Sequence, residues 1–389
     1  MSIQKIANVP VSQISKFQNI NISNISKTFG VSITPPSNPI ELFRVKTFDF
    51  SNIFGPSYSR WSTFYTNRHR YIGFSVYTIP EGYTNAKHVI YDILNDEYVI
   101  LNTVFNSYYS ATEDENKFYI GVYDFPSGGT QAGLVVFDKN NRTENSYLFG
   151  YHIFPCAQQT GNFRYVFAGD PHGQSHILRY LDKQDNQIKN LTIFNWTNNM
   201  SASYYTFNNK FLVSSLSYYF NQTSSEIKMI DANTLEITPL GTISGASSVG
   251  NFHFIYKDKL YIAAPGNGII YECNNSLQIL NTYSFDSTFD NFTISSCFPF
   301  NENDSEGEPI LILSQSFGYP GIFKFFNLET KQTKTLNLSE VLPARNNFIY
   351  FPYHKKNYFV VFAACNASIQ ENVKVYIFKI NRPTLWEAL

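Results

Sequence analysis

Seven times along the chain a short apolar run ends in Asp or Asn at a turn, and a second β-rich run follows. The runs are Val89–Leu94 before Asn95, Leu134–Phe137 before Asp138, Ile177–Leu181 before Asp182 and Ile227–Ile230 before Asp231. Ile269–Cys273 before Asn274, Ile322–Phe326 before Asn327 and Val375–Ile380 before Asn381 complete the set. From Asn95 through Asp138, Asp182, Asp231, Asn274 and Asn327 to Asn381, the turn residues lie 43, 44, 49, 43, 53 and 54 positions apart. That period is the length of a propeller blade. Asx side chains bond their own backbone in tight turns, so turns such as Asp231-Ala232-Asn233-Thr234 join the two outer strands of each blade. No long amphipathic helical pattern interrupts the repeat. The expectation is an all-β chain with a seven-bladed β-propeller over residues 37–389.

Ring closure gives this expectation a further form. After Asn381 only a short tail with Pro383 remains, too little for a good outer strand. Glu41–Phe50 alternates, with Leu42, Val45, Phe48 and Phe50 apolar, and precedes the first complete repeat. It is therefore expected to pair into the last blade, latching the ring and removing an open sheet edge.

Charged residues make up only 15% of the chain, against about 25% in typical soluble domains. Asn, Ser, Thr and 28 Tyr replace them, a neutral polar surface suited to sheets. The net charge of −1 and the lack of a basic stripe argue against nucleic acid as partner. No apolar stretch approaches the roughly 18 residues of a membrane span, and the N-terminus lacks the apolar core of a signal peptide. Asn-x-Ser/Thr triplets such as those at Asn141, Asn190 and Asn221 then reflect composition rather than glycosylation. Cys156, Cys273, Cys297 and Cys365 fall in different repeats without metal or redox spacing, and read as buried free thiols. No cofactor motif occurs.

Residues 1–36 differ in kind. They read as three 11-residue units, with isoleucine at 3, 14 and 25 and lysine at 5, 16 and 27. Eleven is also a coiled-coil period. The β-branched, Asn- and Ser-rich composition and the apolar-x-apolar steps favour short extended segments instead. Such units need a partner surface or sister chains to fold. The Thr34-Pro35-Pro36-Ser37-Asn38-Pro39 spacer marks a domain boundary.

The units Ile3-Gln-Lys-Ile-Ala-Asn-Val9, Ile14-Ser-Lys-Phe-Gln-Asn-Ile20 and Ile25-Ser-Lys-Thr-Phe-Gly-Val31 resemble a tandem motif at the N-termini of bacteriophage virion proteins. Gly30 matches that motif's small residue; Asn8 and Asn19 replace it in the first two units. The resemblance implies a virion location. Other virion proteins would be the partners, and Ile3, Lys5, Ile14, Lys16, Ile25 and Lys27 would serve in particle anchoring. No catalytic residue comes with it. The propeller repeat lacks the Trp-Asp of WD40 blades, the Gly-Gly of kelch blades and the Asp box of sialidases, so fold analogy names no activity.

Ligands of propellers gather where loops between inner and outer strand pairs meet those joining blades. The loops at Pro80–Lys87, Asp124–Ala132, Gly169–Ser175, Tyr218–Glu226, Pro265–Gly268, Ser316–Gly321 and Cys365–Asn372 are the relevant ones here. Tyr83, Phe125, Asp170, His172, Trp196, Tyr219, Phe220 and Tyr319 are the candidate ligand residues, because sugars stack on rings and bond to polar neighbours. The plainer reading is that these rings cover the ends of their blades. His172 and His176 sit four apart, but in a Gly/Pro loop rather than on a helix, so no metal is assigned. The acidic run Asn301–Glu308 has its glycine one place late for a calcium loop and reads as a solvated insertion. The sequence thus supports a non-enzymatic spike or adhesin that binds host-surface glycan. The alternative is a glycosidase or lyase, needing two carboxylates about 5–10 Å apart; Asp124, Asp170 and Glu226 are candidates.

Overall fold

In the computed structural model, residues 5–6, 9–10, 38–49, 58–66, 71–78, 87–101, 107–114, 116–123, 132–148, 154–155, 164–169, 177–194, 201–202, 207–214, 224–244, 252–264, 268–285, 292–296, 307–315, 321–342, 348–355, 357–365 and 373–389 are described. Among them are seven four-stranded antiparallel sheets and one two-stranded pair. In chain order, sheet 1 runs from Tyr58 to Ile100, sheet 2 from Ser107 to Leu148, sheet 3 from Phe154 to Thr192 and sheet 4 from Ser201 to Ser244. Sheet 5 spans Phe252 to Ser284 and sheet 6 Phe292 to Asn337. Sheet 7 joins three strands between Phe348 and Ile380 to Ile40–Phe48 from the other end of the chain.

The sheets stack into a cycle because their third strands are apolar on both faces. Val89–Ile90–Tyr91 and Leu134–Val135–Val136–Phe137 are buried at every position. A strand covered on both sides needs a sheet on each side. Shared cores supply this. One cluster joins sheets 1 and 2, one runs through sheets 2, 3 and 4, and three more join 4 to 5, 5 to 6 and 6 to 7. The last joins sheet 7 back to sheet 1, so the cycle is closed. The architecture is a β-propeller.

Five of the seven repeats close with the same hairpin, and Asn274 closes a turn one residue shorter, with Leu277 left-handed. The Asx side chain accepts the N–H groups two and three residues on, as at Asp138 (from Asn140 and Asn141), Asp231 (from Asn233 and Thr234) and Asn327 (from Glu329 and Thr330). The fourth residue then turns left-handed, with φ of 55° at Arg142, 65° at Leu235 and 61° at Lys331, and its N–H returns to the Asx carbonyl. Two expected turns are corrected. In sheet 1 the capping residue is Asp92 rather than Asn95, since Asp92 accepts the N–H groups of Leu94 and Asn95. Asn381 closes no hairpin; its N–H donates to the Pro39 carbonyl and its amide to the Asn38 carbonyl.

That contact starts the latch. Ile40–Phe48 pairs antiparallel with Val373–Ile380, Ile40 opposite Ile380 and Phe48 opposite Val373, as the alternation predicts. The inward set is different from the expected one. A register shift between Leu42 and Arg44 leaves Leu42 and Val45 exposed, so Ile40 and Phe48 carry the burial. Phe48 lies edge-on to Phe74 at 4.9 Å and to Tyr91 at 5.2 Å, in the seam between sheets 7 and 1. Phe48→Ala should cost about 3–5 kcal/mol. Arg44 and Lys46 point charge out from this edge and pair with Asp96 on the hairpin of sheet 1.

The tail after Asn381 forms a short helix, Leu385–Ala388, rather than a strand, capped by the Thr384 hydroxyl. Glu308 accepts the N–H groups of Leu385 and Trp386 at 2.6 and 3.0 Å, which docks the helix on sheet 6. Glu308, the last residue of the acidic run, therefore serves the fold. At the N-terminus, Lys5–Ile6 pairs with Val9–Pro10, an extended conformation in the first 11-residue unit. Cys273 is a buried free thiol, its pKa pushed up to about 11 by burial.

Candidate functional site

All strand connections fall on two ends of the ring. Third strands end, and latch strand Ile40–Phe48 begins, at the hairpin end. Connections from second to third strands, and from one sheet to the next, leave from the opposite end; Thr78 and Lys87 lie there in sheet 1. Tyr83, Phe125, Asp170, His172, Trp196, Tyr219, Phe220 and Tyr319 all belong by sequence to those connections and lie outside the described residues. So do Asp124, His176 and, among the anchoring residues, Ile3, Ile14, Lys16, Ile25 and Lys27. Glu226 is described and pairs with Lys228 at 3.2 Å.

The described polar chemistry sits at the hairpin end, because each Asx hairpin overhangs the groove toward the preceding sheet. The groove between sheets 5 and 6 holds the densest cluster. Glu272 is fully buried, yet its carboxylate accepts from Lys259 at 2.7 Å, Lys331 at 2.5 Å, Tyr283 at 3.0 Å, Tyr261 at 3.2 Å and Asn281 at 3.3 Å. Burial alone would raise its pKa; the donated hydrogen bonds of Lys259, Lys331 and Tyr283 outweigh that and bring it down to about 2. Burial and the Glu272 charge in turn raise Tyr283 to about 12. Lys331 belongs to the hairpin of sheet 6, so the cluster ties two sheets together. Lys257 and Glu329 bridge the same groove at 2.5 Å in the open.

The groove between sheets 2 and 3 is built differently. Asp114, just after the first strand of sheet 2, accepts from the Tyr119 hydroxyl at 2.7 Å and from Lys183, on the hairpin of sheet 3, at 2.9 Å. Burial works to raise the Asp114 pKa, and these two bonds overcome it, so the group stays ionised below the usual carboxylate range. Beside this pair lies a cavity of about 320 Å³ with Val136 and Leu181 as its apolar floor and Lys117, Tyr147 and Asn186 on its walls. That volume is within the range of small-molecule sites. Between sheets 1 and 2, Lys139 fills the smaller equivalent space. It bonds the fully buried Glu113 at 2.5 Å and lies over the Phe118 and Tyr71 rings. In sheet 3 the fork of Arg164 and the Lys189 ammonium hold Asp182 far below the ordinary carboxylate pKa.

None of these residues stood out in the sequence, since partners such as Lys331 and Glu272 are brought together only by the ring. Among the described residues no group of three or more His, Cys, Asp or Glu side chains is placed to hold a metal ion. No described helix is long and apolar enough to cross a membrane.

A scan against protein-family models finds no match, and a search of curated proteins finds none either. Solved structures do match. A streptogramin B lyase is 12% identical with a TM-score of 0.52, covering 86% of this chain and 98% of that one. The β-propeller domain of the Trilobed protease from Pyrococcus furiosus, described as having an open velcro topology, is 8% identical with a TM-score of 0.50. That match covers 82% of this chain and 95% of the other. Such likenesses show the propeller fold.

Proposed function

We propose that this chain is a non-enzymatic virion structural protein, a spike or adhesin. Residues 1–36 fasten it to the particle, and its propeller, residues 37–389, presents a binding face to host-surface glycan. The observation that carries the reading is polarity. Asn38 and Pro39 bond Asn381 at the hairpin end, so the segment carrying the 11-residue units joins the ring there. The connections rich in Tyr, Phe and Trp leave from the other end. A particle attached through the first segment would have the second face pointing outward. Many weak contacts from repeated copies then suffice for attachment without a deep pocket. The commitment of Glu272, Asp114, Asp182 and Glu113 to ion pairs is also what a scaffold uses, where a hydrolase needs carboxylates free to exchange protons.

The test keeps the whole chain. Ile3, Ile14 and Ile25 are replaced together by Asp, and purified nuclease-resistant particles are compared with cell lysate by quantitative proteomics. The wild-type chain should be enriched in particles at fixed copy number and the variant lost from them while still soluble. Normal incorporation of the variant would overturn the anchor.

A further inference from the structure

The ring carries one donor set twice and sets a carboxylate on the third strand between them only once. In sheet 5, Glu272 pairs across the ladder with Tyr261 and Asn281, Tyr283 lies opposite Ile270, and Lys259 precedes Leu260 at the hairpin end. In sheet 2, Val136 pairs with Tyr119 and Asn145, Tyr147 lies opposite Leu134, and Lys117 lies opposite Asp138. Position by position, Lys117, Tyr119, Asn145 and Tyr147 match Lys259, Tyr261, Asn281 and Tyr283 in residue type. The matching is not a general habit of the fold. In sheets 1, 3, 4 and 6 the position of Tyr119 holds Gly73, Phe167, Leu212 and Ile312.

The difference is the acceptor. Where sheet 5 has the Glu272 carboxylate, sheet 2 has Val136, and the cavity of about 320 Å³ opens against that valine. Asn186 stands where Lys331 does, each the left-handed residue of the next hairpin. Asp114 accepts from Tyr119 and Lys183, which leaves Lys117, Tyr147 and Asn186 as the further polar side chains on the cavity wall. Lys117, Tyr147 and Asn186 thus line a void with an apolar floor, and the one carboxylate among its lining, Asp114, is already taken up by Tyr119 and Lys183.

We propose that the groove between sheets 2 and 3 binds an external carboxylate. The ligand is a small hydroxy-acid such as a hexuronate sugar, its carboxylate held by Lys117, Tyr147 and Asn186 as Glu272 is held in the groove between sheets 5 and 6. The hydroxyl-bearing body would rest on Val136 and Leu181. The site lies at the hairpin end and does not depend on particle attachment, so either reading can fail alone.

The experiment is titration of the full chain with glucuronate, glucose and acetate, followed by calorimetry. Glucuronate should bind and glucose should not. Acetate binding more weakly than glucuronate marks a sugar acid as the source; acetate binding equally marks a general carboxylate site and overturns the sugar half. Val136→Glu supplies the missing internal carboxylate and should abolish glucuronate binding while leaving thermal stability at or above wild type. Lys117→Gln, at a partly exposed position, serves if that variant does not fold, and should weaken binding roughly tenfold or more, as expected for one hydrogen bond to a charged group. No glucuronate binding by wild type, or unchanged binding by Lys117→Gln, overturns the proposal.

Discussion

Glu272→Gln tests how much the buried carboxylate holds two sheets together. The variant keeps the shape but removes the charge that Lys259 and Lys331 face. In the folded chain the Glu272 pKa stands at about 2 against an ordinary 4.5. At about 1.4 kcal/mol per pH step, that difference corresponds to roughly 3 kcal/mol of stability at neutral pH. Lys259 is 39% exposed, so part of its share is screened by water; Lys331, at 26%, and the two tyrosines carry more. The expected loss is about 2–3 kcal/mol, or roughly 3–4 °C in Tm for a chain of this size. The sign with pH follows from a depressed carboxylate. Its stabilisation is complete above 4.5, declines as pH falls and is gone near 2. Urea denaturation of both proteins at pH 7, 5, 4 and 3 should therefore show curves that differ most at neutral pH and converge in acid. A difference below about 0.5 kcal/mol at pH 7, or one that does not shrink by pH 3, would refute the argument.

Three further outcomes are expected. Lys139→Met strands the fully buried Glu113 carboxylate and should cost about 3–5 kcal/mol in denaturant titration, most of it recovered in the double variant with Glu113→Gln. Gly321→Ala places a Cβ 2.8 Å from the Leu338 backbone at φ of 80°, so a loss of about 1–3 kcal/mol should appear as a lowered Tm. Glu308→Ala removes the acceptor of two helix N–H groups and should speed chymotryptic cleavage after Trp386, read by mass spectrometry, with little change in overall Tm.

The fold was legible because its defining device is local. An Asx side chain caps a turn through N–H groups two and three residues on, and the same chemistry punctuates the chain from Asp138 to Asn327. The latch was legible from the alternation of Glu41–Phe50, although the bulge near Phe43, which leaves Leu42 and Val45 exposed, could not be read from it. The turn of sheet 1 was misplaced because Asp92 and Asn95 are both Asx; the tie is broken by burial, with Asp92 at 7% exposure. The hairpin-end grooves were not legible. Glu272 hides in the apolar run Ile269–Cys273, and its partner Lys331 is a turn residue of the next repeat. The shared Tyr119, Asn145, Tyr147 and Tyr261, Asn281, Tyr283 triplets are spaced unequally, since the connections between their strands differ in length. Only the ladder aligns them.

The pairing of Ile40 with Ile380 also sets an order of events during synthesis. A ribosome releases Ile40–Phe48 before sheets 1 to 6 and Val373–Ile380 after them, so the earlier strand waits while all six are made. Sheets 1 to 6 can collapse against one another meanwhile, each finding its neighbour by short-range contact. The seam around Phe48 stays open until the end, with an unsatisfied edge on each side. At that stage a second nascent chain can supply the missing strand as well as the chain's own. Refolding at rising protein concentration should accordingly yield a strand-exchanged dimer, and dilute refolding a monomer.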